Sequence, residues 1–186
     1  MRVLETKRLI IKPVEESDLP ALLELQWDKE IMKYMKFSPI STEDQKAWFA
    51  SLGKGCKAFT ILQKTKGKHQ LIGLTSLNNI DYVNQRASWG MKLKTNLQSK
   101  GIGYEASLII IHYGFHYLNL RKIHADFLEE NKNSKGLTDK IGLRQEGILI
   151  DHVYQNGAFK NLTLVGMLKS EFYKINSNKL MELQLL

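Results

Sequence analysis

The apolar positions of the chain change period along its length, and the changes predict alternating strands and helices. Arg8-Leu9-Ile10-Ile11-Lys12 reads as a first strand. Pro13 stops it, because proline cannot donate to a central ladder. Ser17, Asp18 and Pro20 are helix-start types, and Leu19, Leu22, Leu23, Leu25 and Trp27 follow at helical spacing. Ile31, Met32, Tyr34 and Met35 continue a short helical segment. Thr42-Glu43-Asp44-Gln45 has the pattern of a capping box before Ala47, Trp48, Phe49 and Leu52, with Gly53 and Gly55 closing that helix. Three strand-like runs come next: Ala58 to Leu62, Leu71 to Leu77 and Ala87 to Leu93. The short turns between them predict an antiparallel meander. The longest apolar run, Ala106 to Leu118, predicts a helix buried on most faces. Arg121 to Leu128 is a further strand, so strand, long helix and strand predict a parallel pair with a right-handed crossover. Asn131 to Ile141 reads as a helix closed by Gly142. Ile148-Leu149-Ile150 and Leu162 to Leu168 flank Asn156-Gly157, a hairpin turn signal. No element is predicted for Asn176 to Leu186.

The expected fold is one α/β domain over residues 1–186, a mixed, mostly antiparallel sheet of about seven strands with helices on both faces. Within it, 1–55 would hold the first strand and the N-terminal helices, 56–143 the central core, and 144–186 the C-terminal hairpin and tail.

The junction between the third meander strand and the long helix draws the chemistry. Gly101 and Gly103 lie where a strand turns into a helix, and the leading N–H groups of that helix have no partner within it. With the helix dipole they form an anion site suited to a pyrophosphate, and Lys92, Lys94 and Lys100 add positive charge. The two better-known phosphate loops are absent: there is no Gly-x-x-x-x-Gly-Lys-Ser/Thr, and position 106 is Ala where a Gly-x-Gly-x-x-Gly needs Gly.

Gln98-Ser99-Lys100-Gly101-Ile102-Gly103 resembles the Gln/Arg-x-x-Gly-x-Gly/Ala loop of the GCN5-related N-acetyltransferase (GNAT) family. Glu130-Asn131-Lys132-Asn133-Ser134, Lys140-Ile141-Gly142-Leu143 and Glu146-Gly147 resemble a second block of the same family. The opening Glu5 to Pro13 with Ser17-Asp18 resembles its ribosomal-protein-alanine branch. The resemblance implies an acetyl-CoA-dependent N-acetyltransferase acting on a primary amine. It assigns acetyl-CoA to Gln98, Ser99, Lys100, Gly101, Ile102, Gly103 and Tyr104, to the strand Met91-Lys92-Leu93, and to Asn131 on the pantetheine arm. Ser134 matches a position near the thioester sulfur and is the candidate catalytic residue. Two departures stand out. Thr138 takes the place of a Tyr that protonates the leaving thiolate, and Ser88 takes the place of a Glu that serves as base, so the base has no assignment. In the family the N-terminal helices line the acceptor pocket, which makes Trp27, Tyr34, Met35 and Trp48 either substrate walls or plain core.

Composition narrows this further. A net charge of +8 favours acidic partners, coenzyme A among them, over a polyamine, although Glu15, Glu16, Glu43 and Asp44 offer a local acidic patch. The acceptor readings are a protein N-terminal amine, a nucleotide-linked amino sugar or a polyamine. The rival class is a non-catalytic acyl-CoA-binding or nucleic-acid-binding module, yet no nucleic-acid motif is present and no nucleic-acid partner is expected. The lone Cys56 permits no internal disulfide and reads as a spectator thiol. No metal is expected: His112 and His116 are spaced i, i+4, but Tyr113 stands where a zinc helix would need Glu. No apolar signal core or membrane span is visible, so a cytoplasmic monomer or homodimer is expected.

Overall fold

The computed structural model describes residues 4–35, 40–53, 55–97 and 100–186. Gln98 and Ser99, assigned above to the phosphate loop, lie outside the described residues. Strands β1 (Leu4–Glu5), β2 (Leu9–Pro13), β3 (Lys57–Gln63), β4 (Gln70–Asp81), β5 (Arg86–Leu93), β6 (Lys122–Leu128), β7 (Arg144–Gln155) and β8 (Ala158–Leu168) form one sheet in the order β1-β2-β3-β4-β5-β6-β8-β7. Every neighbouring pair is antiparallel except β5 and β6, which are parallel. This is the mixed sheet that the sequence predicts, with the two-residue β1 as an added edge strand. The Asn156-Gly157 turn forms as expected, both residues with positive φ, and closes β7 onto β8.

Each face of the sheet carries its own apolar core. On one face lie α1 (Leu19–Trp27), α2 (Lys29–Met32) and α3 (Thr42–Ala50). Leu22, Leu25, Ile31 and Met32 pack there with Ala58 of β3 and against Leu71 and Leu74 of β4. The other face holds α4 (Ile102–His116), α5 (Lys132–Ile141) and α6 (Lys169–Glu182). Leu108, Ile109, Ile110, Ile111 and Phe115 of α4 are fully buried against Leu9, Ile11, Ile61, Ile72 and Leu77. A helix apolar on all sides needs cover on all sides, and α4 runs between the sheet and α6. His112 is part of that packing: its Nδ1 lies 3.2 Å from the Tyr173 hydroxyl, and burial with His116 alongside pushes its pKa down to about 4. Among the described residues no helix is long and apolar enough to cross a membrane, and no group of three or more His, Cys, Asp or Glu is placed to hold a metal ion.

Three local readings are corrected. Residues 169–182 are helical where the sequence predicts nothing, because α6 presents Phe172, Asn176 and Leu180 to the core as one stripe whose middle member is polar. Asn176 fits there because its amide donates to the carbonyls of Ile141 and Phe172 and its Oδ1 accepts from Tyr104 Oη. The capping box of α3 begins one residue earlier than expected: Ser41 Oγ accepts from the Asp44 N–H, and Asp44 accepts from the Ser41 N–H. Asp18 does not cap α1 with its side chain. Its carboxylate accepts from the Glu15 N–H and pairs with Lys12 at 2.7 Å.

One ion pair, buried on its acidic side, ties the start of the chain to the start of α4. Glu105 in the first turn of α4 has a side chain only 5% exposed, and it accepts from Arg8 Nε at 2.8 Å, from Arg8 Nη2 and from Thr6 Oγ1 at 2.5 Å. The position suits an acid, since the helix N-terminus favours negative charge. Removing one partner of such a pair leaves a charge in a low-dielectric site. Arg8→Met is therefore expected to lower the unfolding free energy by about 2 kcal/mol, below the range for a fully buried pair because the Arg8 guanidinium is half-exposed. Urea denaturation measures this, and a loss under about 1 kcal/mol would place the pair with ordinary surface pairs.

Candidate active site

The parallel ladder between β5 and β6 is short. It runs Arg86–Lys122, Ala87–Ile123, Ser88–His124 and stops. Beyond it β5 stays paired with β4 through Leu93, and β6 stays paired with β8 through Leu128. The two strands therefore part into a fork that opens toward their C-terminal ends, where open α/β sheets commonly bind ligands.

The register of β5 decides which groups face the fork. Lys94 N–H donates to Ile72 O at 2.9 Å, and Leu74–Lys92, Ser76–Gly90 and Asn78–Ser88 follow in the same register. In an antiparallel ladder hydrogen-bonded and non-hydrogen-bonded pairs alternate. The even residues of β5 thus direct their backbone groups to β4, and Trp89, Met91 and Leu93 direct theirs into the fork. Met91 and Leu93, assigned above to acetyl-CoA, turn their backbone groups to the fork. Lys92 is corrected on both counts: its backbone faces β4, and its side chain leaves on the opposite face of the sheet from Met91 and Leu93.

At the wide end of the fork stands the N-terminus of α4. Gly101 is its N-cap with φ +75°, the left-handed region that glycine adopts without strain. The Glu105 N–H is the first to close back, onto Gly101 O, which leaves the N–H groups of Ile102, Gly103 and Tyr104 as the leading donors. Gly103 serves packing. A Cβ there would sit 3.2 Å from Met91 Cε and 3.9 Å from Leu137 Cδ2, so the bare backbone lets α4 press against β5 and α5. The Ile102 side chain is buried in the core, and the Tyr104 ring lies beneath Lys140 with its hydroxyl on Asn176, so these two face the junction through backbone only. Arg8, missed from sequence, reaches the same loop: its Nη1 donates to Lys100 O at 3.4 Å and its half-exposed guanidinium lies beside Gly101.

Across the fork, β6 leads into α5. Asn131 caps α5, its Oδ1 accepting from Ser134 N–H at 3.0 Å, and its amide nitrogen is not used in that bond. Ser134 sits half-buried in the first turn. Thr138 is buried and its hydroxyl bonds to the carbonyls of Ser134 and Lys135, a back-bond within the helix. That engagement removes it as a proton donor.

On the other face of β4 and β5, toward α1 and α3, lies a cavity of about 220 Å³. Leu22, Leu25, Leu74, Trp48 and Cys56 form apolar walls, and Gln26, Gln45, Ser76, Asn78 and Lys92 supply polar groups. Burial pushes the Lys92 ammonium down to about 8, and its Nζ donates to Gln26 Oε1 at 2.5 Å. Cys56 donates to Asn78 Oδ1 at 3.0 Å, and burial raises its pKa, which fits an unreactive thiol. Trp48 is the one member of the aromatic and methionine set that lines this cavity. Trp27 is 56% exposed, and Met35 packs in the core beneath α1. A shallower depression of about 320 Å³ adjoins through Leu25 and carries Glu24, Asp28 and Lys94.

Where the fork begins, Asn78, Ser88 and His124 stand in one cross-strand row on the cavity face. Gly166 continues the row on β8, and the Glu146 carboxylate lies over it, 2.7 Å from where a Cβ would be. Burial, with Lys122 and Arg86 nearby, lowers the His124 pKa against the opposing effect of Asp126 and Glu146. Sequence alone gave no signal for His124, because its neighbour Ser88 is supplied by another strand.

Comparison with known proteins accords with this arrangement. The model of the acetyltransferase (GNAT) domain family matches residues 8–144. The N-acetyltransferase p20 of Bacillus licheniformis is 32% identical over 178 residues, covering 92% of this chain and 99% of that protein. A spermidine N(1)-acetyltransferase of Vibrio cholerae is 24% identical over 165 residues, covering 89% of this chain and 95% of that protein. The crystal structure of spermidine N-acetyltransferase from Vibrio cholerae in complex with CoA and spermine superposes with a TM-score of 0.82 at 24% identity, over 88% of this chain and 97% of that one. The forked sheet, the glycine-capped helix at its mouth and the match over most of the chain together make this protein an N-acetyltransferase of the GNAT family.

Proposed function

We propose that the protein transfers the acetyl group of acetyl-CoA to a primary amine held in the cavity between α1, α3 and the sheet. The fork carries this reading. Pantetheine contains two amides, and Trp89, Met91 and Leu93 offer backbone donors and acceptors at alternate positions, as an edge strand offers them to an extended peptide. The pyrophosphate falls to the leading N–H groups of α4, with Lys100 and Arg8 as the cations beside them. Asn131 takes the pantetheine arm from the β6 side. On Gly101→Ala the left-handed φ costs about 1–2 kcal/mol, and the N-cap shifts to relieve it. Acetyl-CoA affinity measured by calorimetry is expected to fall by about 10-fold in the folded variant, and an unchanged affinity would remove the loop from the site.

The reaction forms a C–N bond and breaks the C–S bond of the thioester. The amine must first lose its proton, and an amine of a peptide N-terminus, with a pKa near ~8, loses it more readily than an aliphatic amine near ~10. His124 is the group we assign to take that proton through water along the Ser88 row. Its lowered pKa keeps it neutral at pH 7, and it loses this capacity only as pH falls below the ordinary histidine value of 6.5. His124→Gln is expected to lower kcat by about 100-fold and to flatten that acid limb, whereas an unchanged pH–rate profile would leave the proton to bulk water. Ser134 is assigned to the developing thiolate. Ser134→Ala is expected to lower kcat by about 10- to 100-fold with little change in acetyl-CoA binding. Full kcat with a lowered melting temperature would make Ser134 a helix-terminus residue only.

The acceptor that this cavity favours is a peptide N-terminal amine or another amine with a single positive charge. A polyamine is the second reading. The Vibrio cholerae relatives favour it, and Glu24 and Asp28 of the shallow depression offer it carboxylates. Against it stands the cavity beside the fork, where none of the described lining side chains is acidic and one is a lysine. Thiol release from acetyl-CoA with a peptide and with spermidine separates the two.

A further inference from the structure

We infer that the amine acceptor carries an anionic group, a carboxylate or a phosphate, that pairs with Lys92 inside the cavity; this rests on the reading of the chain as an acetyl-CoA-dependent amine acetyltransferase. The cavity holds Lys92 in an unusual balance. Its side chain is half-buried in the cavity wall, and the partner it has there is the neutral amide oxygen of Gln26 at 2.5 Å. A buried cation normally has a charged partner, since isolation from water disfavours the charged form. Other lysines on the sheet meet that rule: Lys12 pairs with Asp18 and Glu15, Lys122 with Glu146 and Lys64 with Glu5. Lys92 has no carboxylate partner among the described residues, and its side chain lines the cavity.

The surroundings select the sign of the missing partner. Gln45, Ser76, Asn78 and Gln26 are neutral, and Cys56 is held as a thiol by burial. A second cation entering here would meet Lys92 without a carboxylate to offset it. An anion would restore to Lys92 what burial removed, and at neutral pH the ammonium is still mostly charged, because burial brings its pKa only to about 8. Geometry joins this point to the chemistry. Lys92 follows Met91, whose backbone faces the fork, so the cavity that Lys92 lines and the fork share strand β5. Gly90, two residues back on the same face, leaves the floor between them without a side chain.

The test uses matched amines on the full chain, with thiol release from acetyl-CoA as the readout. An amino acid is compared with its amide, phosphoethanolamine with ethanolamine, and spermidine is included as the polycation. The expected result is a kcat/KM at least about 10- to 100-fold higher for the anionic member of a pair, with the carboxylate and phosphate arms identifying which anion fits. Lys92→Met should shrink that ratio to near one through the KM of the anionic member, and because the ratio is read on two substrates of one protein it does not depend on how much of the variant folds. Equal turnover of anionic and neutral members by the wild type, or preference for spermidine, would overturn the inference while the transferase reading stands. Turnover of no amine, together with no binding of acetyl-CoA, would overturn the transferase reading and this inference with it.

Discussion

The structure depends on two strands being held apart. Sheets gain by pairing every backbone group, and an unpaired buried N–H or C=O costs free energy comparable to a lost hydrogen bond. Yet β5 and β6 release one another after Ser88 and His124. Each is held on its far side for its whole remaining length, β5 by β4 and β6 by β8, so the gap cannot close without breaking two longer ladders. The right-handed twist of neighbouring strands widens the parting along its length. The result is a row of backbone groups on Trp89, Met91 and Leu93 facing a slot that a chain of amides can fill.

The slot works only if α4 begins at its mouth, and two distant contacts set that start. Arg8 and Thr6, from the opening of the chain, hold Glu105 in the first turn of α4. Asn176, from the last helix, holds Tyr104 in the same turn and Ile141 at the end of α5. The opening segment lies across the sheet from the fork in strand order, so the ion pair is a tie between remote pieces of chain. A buried pair of this kind is a weak source of net stability but a strong source of register, because only one arrangement satisfies both charges. The one polar member of the α6 stripe, Asn176, follows the same logic.

Much of this was legible in the chain. The periodicities of Leu9 to Lys12, Ala58 to Leu62 and Leu71 to Leu77 read as strands because alternation and turn residues are local. Gly101 read as a loop-to-helix junction for the same reason. What was not legible depends on register between segments far apart in sequence. That Lys92 turns to one face of the sheet while Met91 and Leu93 turn to the other follows from the Leu74–Lys92 pairing, and no local pattern carries that parity. That Ser88 meets His124 follows from a parallel ladder closed across the whole of α4. Residues 169–182 escaped because Asn176 occupies a core position that hydrophobic patterning scores as surface, and its three hydrogen bonds come from α4, α5 and α6 itself.

The same parity separates the two halves of the chemistry. A strand has period two, so one face of β5 and the other face are different environments a single residue apart. Trp89, Met91 and Leu93 put apolar side chains under α4 and backbone groups into the fork. Ser88, Gly90 and Lys92 turn their other face to the cavity side, where Lys92 lines the cavity and Gly90 adds no side chain, and put backbone groups onto β4. A single-residue slip of β5 against β4 would therefore exchange every role at once: Lys92 would be driven beneath α4, where Leu108 to Ile111 leave no partner for a charge, and Met91 would close the cavity. The Trp89 indole donating to Thr75 Oγ1 at 3.2 Å, with Thr75 Oγ1 in turn on Gly90 O at 3.0 Å, pins the register from inside the core. Catalytic alignment and core packing are thus one constraint on this strand, and a substitution that loosens the Trp89–Thr75 contact acts on the position of Lys92 without touching the cavity.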